Sequence, residues 1–414
     1  MSQQQVPVDE QLAVLMRGTE FGDEATARTM KSELRERLEE GRPLRVYCGY
    51  DPTSVDLTLG HTVTFRKLRQ FQDFGHQVTF LIGNFTGLVG DPSDKDSSRP
   101  MLSAEQLEAN AGTYTRQAFR ILDPERTEVA HNADWLSKLT FAEVIALCSK
   151  FTVAQFLERD SFEQRWRRHD AIHLSEFMYA IMQGYDAVAM ETDVQVGGTD
   201  QLFNLLAGRV LQRESGQRPQ VAITTPLLVG TDGVQKMSKS AGNYIAVDDP
   251  PNDMYGKVMS LPDSVMEPYF TLLTPLADSD VASIIEALER GALPPIDAKK
   301  RLALEVTAAM YARAEAEAAQ SYFESTIQRG ETPQEMREYA LEDGEEGERS
   351  RLDKVLVSSG LAVSGGEVRR LVEQGAVSVN GERVTEFTVG LRPGDEVKIG
   401  SHRFVRMVQA AAQQ

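Results

Sequence analysis

Apolar positions recur along this chain with two different periods, and the changes between them mark its elements. "LRVYCGY" (Leu44–Tyr50) is a short apolar run closed by the Pro-Thr turn that follows, which predicts a strand. From His61 to Phe74 the period becomes helical. Phe65, Leu68 and Phe71 share a face, Arg66, Lys67 and Arg69 point elsewhere, and Gly75 ends the helix. "QVTFLIGN" is a second, nearly continuous apolar run, as expected of a strand covered on both faces. Strand, helix and strand in close succession form a βαβ unit, so a parallel, doubly wound sheet is expected.

Downstream, "HLSEFMYAIMQGYDAVAM" reads as a helix and "DVQVGGTDQLFNLLAGRVL" as a strand, a glycine turn and another helix, while "VAITTPLLV" is a strand leading into "GTDGVQKMSKSAGNYI". An amphipathic stretch from Glu10 to Glu40 precedes the first strand. From Asp248 the pattern is helical, with helices at Asp280–Glu289 and Asp297–Ile327; Leu302, Val306 and Ala309/Met310 form the apolar stripe of the latter. A small α+β module closes the chain. One of its helices turns Leu352, Val355 and Leu356 inward, a second does so with Val368, Leu371 and Val372, and Asn380-Gly381 marks a hairpin. The expected divisions are an N-terminal helical segment (1–40), a doubly wound domain (41–247), a helical domain (248–330), a linker (331–350) and the terminal module (351–414).

Composition changes this picture at three points. The 414 residues suffice for several domains, and no apolar run is long enough for a membrane-spanning helix. Met1–Leu15 lacks the basic start and apolar stretch of a signal peptide, which points to a cytoplasmic chain. The two cysteines, Cys48 and Cys148, lie at no metal-ligand spacing, so neither zinc ribbon nor disulfide framework is expected. The formal charge of -18 argues against a nucleic-acid binder as a whole, but it is unevenly spread. "ETPQEMREYALEDGEEGERS" concentrates acids, as a solvated linker would, whereas the module after it is slightly basic.

Two segments carry the candidate chemistry. "DPTSVDLTLGH" sets Asp51, Thr53, Thr58, Gly60 and His61 at a helix N-terminus, where free backbone N–H groups and the helix dipole favour phosphate. The second segment places Lys236 and Lys239 on a glycine- and serine-rich loop, which fits a polyphosphate clamp or a solvated turn. Neither a G-x-G-x-x-G fingerprint nor a Walker loop is present. Tyr179, Gln183 and Asp186 fall on one helix face; on spacing alone that stripe fits a solvent face as well as a binding face.

Together these segments resemble the paired "HIGH" and "KMSKS" signatures of class I aminoacyl-tRNA synthetases. The second is complete in Lys236-Met237-Ser238-Lys239-Ser240, and the first stands as Thr58-Leu59-Gly60-His61, with threonine for the first histidine. "YCGYDPT", "GLVGDP", "EFMYAIMQGYD" and "QVGGTDQ" further resemble the bacterial tyrosyl-tRNA synthetases over nearly the whole chain.

The resemblance implies a Rossmann-like catalytic domain, an α-helical anticodon-recognition domain and an S-four-type RNA-binding module. It also implies formation of tyrosyl-adenylate from tyrosine and ATP, and transfer to the 3′ end of a cognate tRNA. Tyr47 and Asp186 would bind the substrate phenol, and Asp91, Tyr179 and Gln183 its ammonium, with Gln195 lining the pocket. Gly49, Asp51, Gly60, His61, Gly197 and Asp200 would surround the adenosine, with Thr64 near the ribose. Met237 and Ser238 belong to the loop that covers ATP. Lys95, Arg99, Lys236 and Lys239, aided by Thr53 and His61, would stabilise the departing pyrophosphate together with magnesium. Arg369 and Arg370 are the candidate RNA contacts of the last module, and Lys299, Lys300 and Arg301 those of the helical region. A homodimer is the expected assembly, with no resident metal. Tryptophan activation is one alternative, which the Tyr47/Asp186 pair disfavours because an indole places its donor elsewhere. A non-catalytic RNA-binding chain is another, disfavoured by the intact loop lysines.

Overall fold

A strand with apolar cover on both faces takes the middle of a sheet, and Arg45–Tyr50 (β1) does so in the computed structural model. The structure describes residues 6–54, 56–93, 103–329, 336–341, 347–400 and 403–409. With Gln77–Ile82 (β2), Thr127–His131 (β3), Val194–Gly198 (β4) and Val221–Thr225 (β5), it forms a parallel sheet in the order β3-β2-β1-β4-β5. The chain builds outward from β1 to β3, then returns to β1's other edge. The crevice at the carboxyl ends of β1 and β4 is therefore the topological switch point, where doubly wound sheets bind ligands. The alternation of apolar residues did not reveal β3, whose side chains are mostly half-buried at the sheet edge.

The Glu10–Glu40 stretch is two helices, Val8–Met16 (α1) and Glu24–Glu39 (α2), the second capped by Asp23 accepting the Thr26 N–H at 2.8 Å. Arg37 of α2 is buried against Asp193, just before β4, at 2.5 Å. Arg42 grips both oxygens of Asp193 at 2.7 Å, and the Arg45 N–H adds a bond at 2.9 Å. Leu59–Asp73 (α3) buries Phe65, Leu68 and Phe71 as its period predicts. Lys67 departs from the expected polar face. It is buried, and its Nζ donates to the carbonyl of Arg17 at 2.8 Å and to Gln70 Oε1 at 2.7 Å, satisfying the end of α1.

After β2 come Ala104–Ala118 (α4), Ala133–Leu136 (α5), Phe141–Cys148 (α6), Val153–Leu157 (α7), Asp160–Arg167 (α8), Leu174–Ala189 (α9) and Leu202–Glu214 (α10). The run "VAITTPLLV" is a strand only as far as Thr225, because Pro226 cannot donate to the ladder. Pro251–Met259 (α11), Met266–Leu273 (α12), Asp278–Glu289 (α13) and Pro295–Ala308 (α14) follow. The long helix expected over Asp297–Ile327 is broken after α14, and a new helix runs over Arg313–Phe323 (α15). The break turns Tyr311 onto the Asp249 carbonyl and under the Arg120 guanidinium, 5.0 Å from the ring centroid, contacts that a continuous helix would forgo.

The chain divides into two compact units, Met1–Arg313 and Ala314–Gln414, so the helices from α11 to α14 belong to the unit of the parallel sheet. In the second unit, Arg337–Leu341 (β6) lies within the segment expected to be a linker, and Gly347–Arg351 (β7) runs from it into the first residue of the terminal module. Charge density hid the alternation of Tyr339 and Leu341, which pack toward the core while β6 pairs in parallel with Arg403–Gln409 (β12). Leu352–Ser358 (α16) and Gly365–Glu373 (α17) bury Leu352, Val355, Leu356, Val368 and Val372, and Leu371 packs partly against the same core. Val377–Val379 (β8) and Glu382–Arg383 (β9) are joined by Asn380 and Gly381, with φ of 50° and 84°, the left-handed pair that a two-residue hairpin requires. Among the described residues no helix is long and apolar enough to cross a membrane.

Candidate active site

Tyr47 on β1 and Gln195 on β4 are register partners, so both side chains leave the same face of the sheet. Both are buried, and Gln195 accepts a hydrogen bond from Gln220 Nε2 at 2.5 Å. Asp186 reaches this cluster from α9. Its Oδ1 accepts from Trp135 Nε1 at 2.8 Å and its Oδ2 from Asn132 Nδ2 at 3.3 Å. Burial pushes the carboxyl up to about 8 against the pull of those two donors. Tyr47 Oη is buried and has no hydrogen-bond partner among the described residues; burial first, and then the charge of Asp186, holds its phenol well above the usual range. A hydroxyl in that state costs about 1–3 kcal/mol unless something pairs with it.

The α9 stripe is an inward face. Tyr179 and Asp186 are buried and Gln183 is half-buried, so the solvent-face alternative does not hold. Tyr179 Oη donates to Asp51 Oδ2 at 3.0 Å. Gln183 Oε1 accepts from Asn204 Nδ2 at 3.0 Å; the same amide donates to Gln201 Oε1, and Gln201 Nε2 donates to Asp91 Oδ2 at 2.6 Å. Gln183 and Asp91 are thus joined through two side chains that the sequence reading missed. Gln201 closes the "GGTDQ" turn after β4, and Asn204 sits three residues further along, one helical turn away. Trp135 and Asn132 were missed as well, because nothing in their sequence context marks a role.

At the carboxyl end of β1, Asp51 also accepts from Thr86 Oγ1 at 2.7 Å, and the Thr53 N–H donates to the Asp51 carbonyl at 2.7 Å. Gly83 at the end of β2 lies so close that a Cβ there would fall 2.1 Å from Asp51 Oδ1; only glycine leaves room for this carboxylate. His61 is the third residue of α3. Its Nδ1 accepts from the Thr58 N–H at 3.1 Å and lies 3.0 Å from Thr58 Oγ1, a capping box that leaves Nε2 to carry the proton. Burial, Lys236 and Lys239 push the imidazole down to about 4, so it is neutral at pH 7. Thr64 is buried, bonded to Tyr50 Oη at 2.7 Å and to the His61 carbonyl at 2.9 Å. Gly49 is exposed, Gly197 is buried, and Gly60 faces Met237, whose Cβ lies 3.9 Å from where its own Cβ would stand.

The lysine loop closes against these groups. Lys236 Nζ lies 2.6 Å from Asp200 Oδ2, and Lys239 Nζ donates to Ser54 Oγ at 3.2 Å, with Asp56 at 3.9 Å. Asn243 braces the loop, accepting from the Ser238 N–H at 2.9 Å and donating to Asp232 at 2.7 Å. The two ammonium groups thus converge with His61 on the switch point between β1 and β4. Lys95 and Arg99 lie outside the described residues. Among the described residues no group of His, Cys, Asp or Glu is arranged to hold a metal ion, and Cys48 and Cys148 are free thiols.

Elsewhere in this unit, the Lys299 side chain is mostly buried and paired with Asp263 at 2.6 Å. In the second unit Arg369 and Arg370 are exposed on α17, and the Arg369 guanidinium lies 5.5 Å from the centroid of the Phe387 ring.

The sequence model of the family described as tRNA synthetases class I (W and Y) matches residues 39–328, and that of the S4 domain matches residues 350–397. A tyrosine–tRNA ligase of Oleidesulfovibrio alaskensis is 46% identical over 403 residues, covering 97% of this chain and 99% of the relative. One of Moorella thermoacetica is 47% identical over 402 residues, covering 97% and 96%. Among solved structures, a tyrosyl-tRNA synthetase of Archaeoglobus fulgidus complexed with L-tyrosine superposes with a TM-score of 0.61 at 24% identity, covering 76% of this chain and 100% of that one, a likeness of fold. By the extent of these matches and the pairing of its two signature segments, the chain belongs to the bacterial tyrosine–tRNA ligases of the class I aminoacyl-tRNA synthetases.

Proposed function

We propose that the chain joins tyrosine to its tRNA through the residues assembled at the switch point. One observation carries the assignment of the tyrosine end: a buried, unpartnered Tyr47 hydroxyl within the electrostatic reach of Asp186. A substrate phenol fits both groups, donating to Asp186 and accepting from Tyr47. A phenylalanine ring would leave the Tyr47 hydroxyl unpaired and give Asp186 no donor beyond Trp135 and Asn132, so it is rejected by desolvation rather than by size. Tyr179, Gln183 and Asp91 hold the substrate ammonium, with Gln195 behind the ring. The Asn204–Gln201 amides keep Gln183 and Asp91 in fixed relation.

The reaction needs little acid–base help. A carboxylate oxygen of tyrosine attacks the α-phosphorus of ATP as the bond to the β-phosphate breaks, and the electron pair leaves on pyrophosphate. What accelerates the step is positive charge placed where that leaving group develops. Lys236 and Lys239 supply it here, with Lys95 and Arg99 as further contributors and magnesium arriving with ATP. Neutral His61 offers its Nε2–H, and Thr53 a hydroxyl. Gly49, Asp51, Gly60, Thr64, Gly197 and Asp200 border the adenosine, with Met237 and Ser238 over it; Thr64 acts through its bond to the His61 carbonyl. A ribose hydroxyl of the tRNA then attacks the tyrosyl carbonyl, and AMP leaves. Arg369 and Arg370 of the second unit contact the RNA.

In domain terms, residues 41–247 form the catalytic domain after an N-terminal helical segment (1–40), 248–330 the anticodon-recognition domain, and 351–414 the RNA-binding module beyond 331–350. The assembly is a cytoplasmic homodimer. Phe141, Ile145, Val153, Trp166 and Leu174 are all exposed within one stretch of the first unit, a set of apolar side chains that a second copy would cover. Sedimentation giving a single-chain mass at micromolar concentration would exclude the dimer. For the reaction, tyrosine-dependent exchange of labelled pyrophosphate into ATP is the test. Exchange with tyrosine and none with tryptophan or phenylalanine is expected, and exchange with tryptophan instead would overturn the assignment.

A further inference from the structure

Asn110, Tyr114 and Gln117 lie on one face of α4, four and three residues apart, and each bonds to the chain between β1 and α3. Asn110 Nδ2 donates to the Pro52 carbonyl at 2.8 Å. Tyr114 Oη and Ser54 Oγ are 2.9 Å apart, and Gln117 Oε1 accepts the Leu57 N–H at 2.7 Å. Gln117 is wholly buried, and its Nε2 donates to Asp248 Oδ2 at 2.7 Å and, more weakly, to Asp56 Oδ1 at 3.4 Å. Asp248 stands just beyond the lysine loop and is held also by Arg116 and Arg120, each at 2.8 Å, from the same helix. One helix face therefore fastens both chain segments that carry the leaving-group machinery, and Ser54 is where they meet: its hydroxyl is shared between Tyr114 and Lys239.

We propose that α4 is the positioning element of the lysine loop. Tyr114 and Gln117 set Ser54 and Asp56, and through them the resting place from which Lys239 is delivered to the pyrophosphate. None of the three stripe residues needs to touch substrate. Tyr114 orients the Ser54 hydroxyl toward Lys239, and Gln117 fixes the separation between Leu57, just before the first signature, and Asp248, at the exit of the second. An amide that bonds both segments at once transmits a displacement of either to the other. The inference rests on the tyrosine-activating reading of the site.

A double-mutant cycle tests it, read by pyrophosphate exchange in the full-length chain. Tyr114→Phe keeps the ring and removes one hydrogen-bonding group, so kcat for exchange is expected to fall about three- to tenfold, with KM for tyrosine unchanged. In a Lys239→Ala background the same substitution is expected to cost nothing further, since the group it positions is gone. An equal loss in both backgrounds, or no loss in the unsubstituted background, would overturn the proposal. Ser54→Ala, a surface-loop change that empties no core, runs through the same cycle should Tyr114→Phe lower the melting temperature. Absence of exchange in the unsubstituted chain would instead strike the functional reading itself, so the two failures are distinguishable.

Discussion

Thr58 and Ala246 stand opposite one another in an antiparallel bridge, flanked by the bonds Leu59 N–H to Ile245 C=O and Val247 N–H to Leu57 C=O, each 2.9 Å. The two signature segments, far apart in the chain, are thus joined backbone to backbone at the start of α3. The bridge puts Thr58 where its side chain serves the capping box with His61 rather than reaching forward over the site. Replacing it with valine removes only that hydroxyl. Thr58→Val is expected to slow adenylate formation about three- to tenfold, the worth of one hydrogen bond, and less than Lys239→Ala does. Stopped-flow or exchange rates of the two variants decide this; equal losses would assign Thr58 a direct part in the transition state.

Tyr47→Phe separates binding from folding. The hydroxyl it deletes is buried and has no partner among the described residues, so the melting temperature is expected to hold or rise. Affinity for tyrosine is expected to fall about tenfold as the phenol loses a donor. Calorimetric titration with tyrosine and a thermal melt of the same sample read both effects.

Asp186 should leave a mark on stability as a function of pH. Its folded value, about 8, lies above the 3.8 of an ordinary aspartate, so between those limits the folded chain holds a proton that the unfolded chain releases. The stabilisation it contributes is complete below about pH 4 and is lost as pH rises through 8. Asp186→Asn is expected to remove this downward slope, which urea unfolding at a series of pH values between 4 and 9 would reveal. A slope identical in both proteins would place the proton elsewhere.

Asp193 joins α2 to the sheet. Its carboxylate, buried with Arg37 and gripped by Arg42, is pulled below the usual range despite its burial by hydrogen bonds from Arg42 and Arg45 and by the charge of Arg37. Asp193→Ala strands the buried Arg37 guanidinium and is expected to cost about 3–5 kcal/mol in denaturant unfolding. An Arg37→Met/Asp193→Leu double substitution should recover much of the loss, because no charge is then left unpaired.

The elements that the sequence announced are those whose periodicity was set by their own residues. The alternation from β1 through α3 to β2, the inward faces of α16 and α17, and the Asn380-Gly381 turn all follow from local rules of side-chain direction and backbone sterics. So do the paired signature segments, because a polyphosphate demands backbone N–H groups and cations of a recognisable kind. What the sequence left undecided was settled by partners distant along the chain. Lys67 is buried because the end of α1 needs a donor, the 297–327 helix breaks because Tyr311 has a better contact elsewhere, and β6 forms because β12 offers it an edge. Trp135, Asn132, Gln201, Asn204 and the α4 stripe carry no motif; they matter through the polar atoms they meet, and those meetings exist only once the sheet has brought β1 and β4 together.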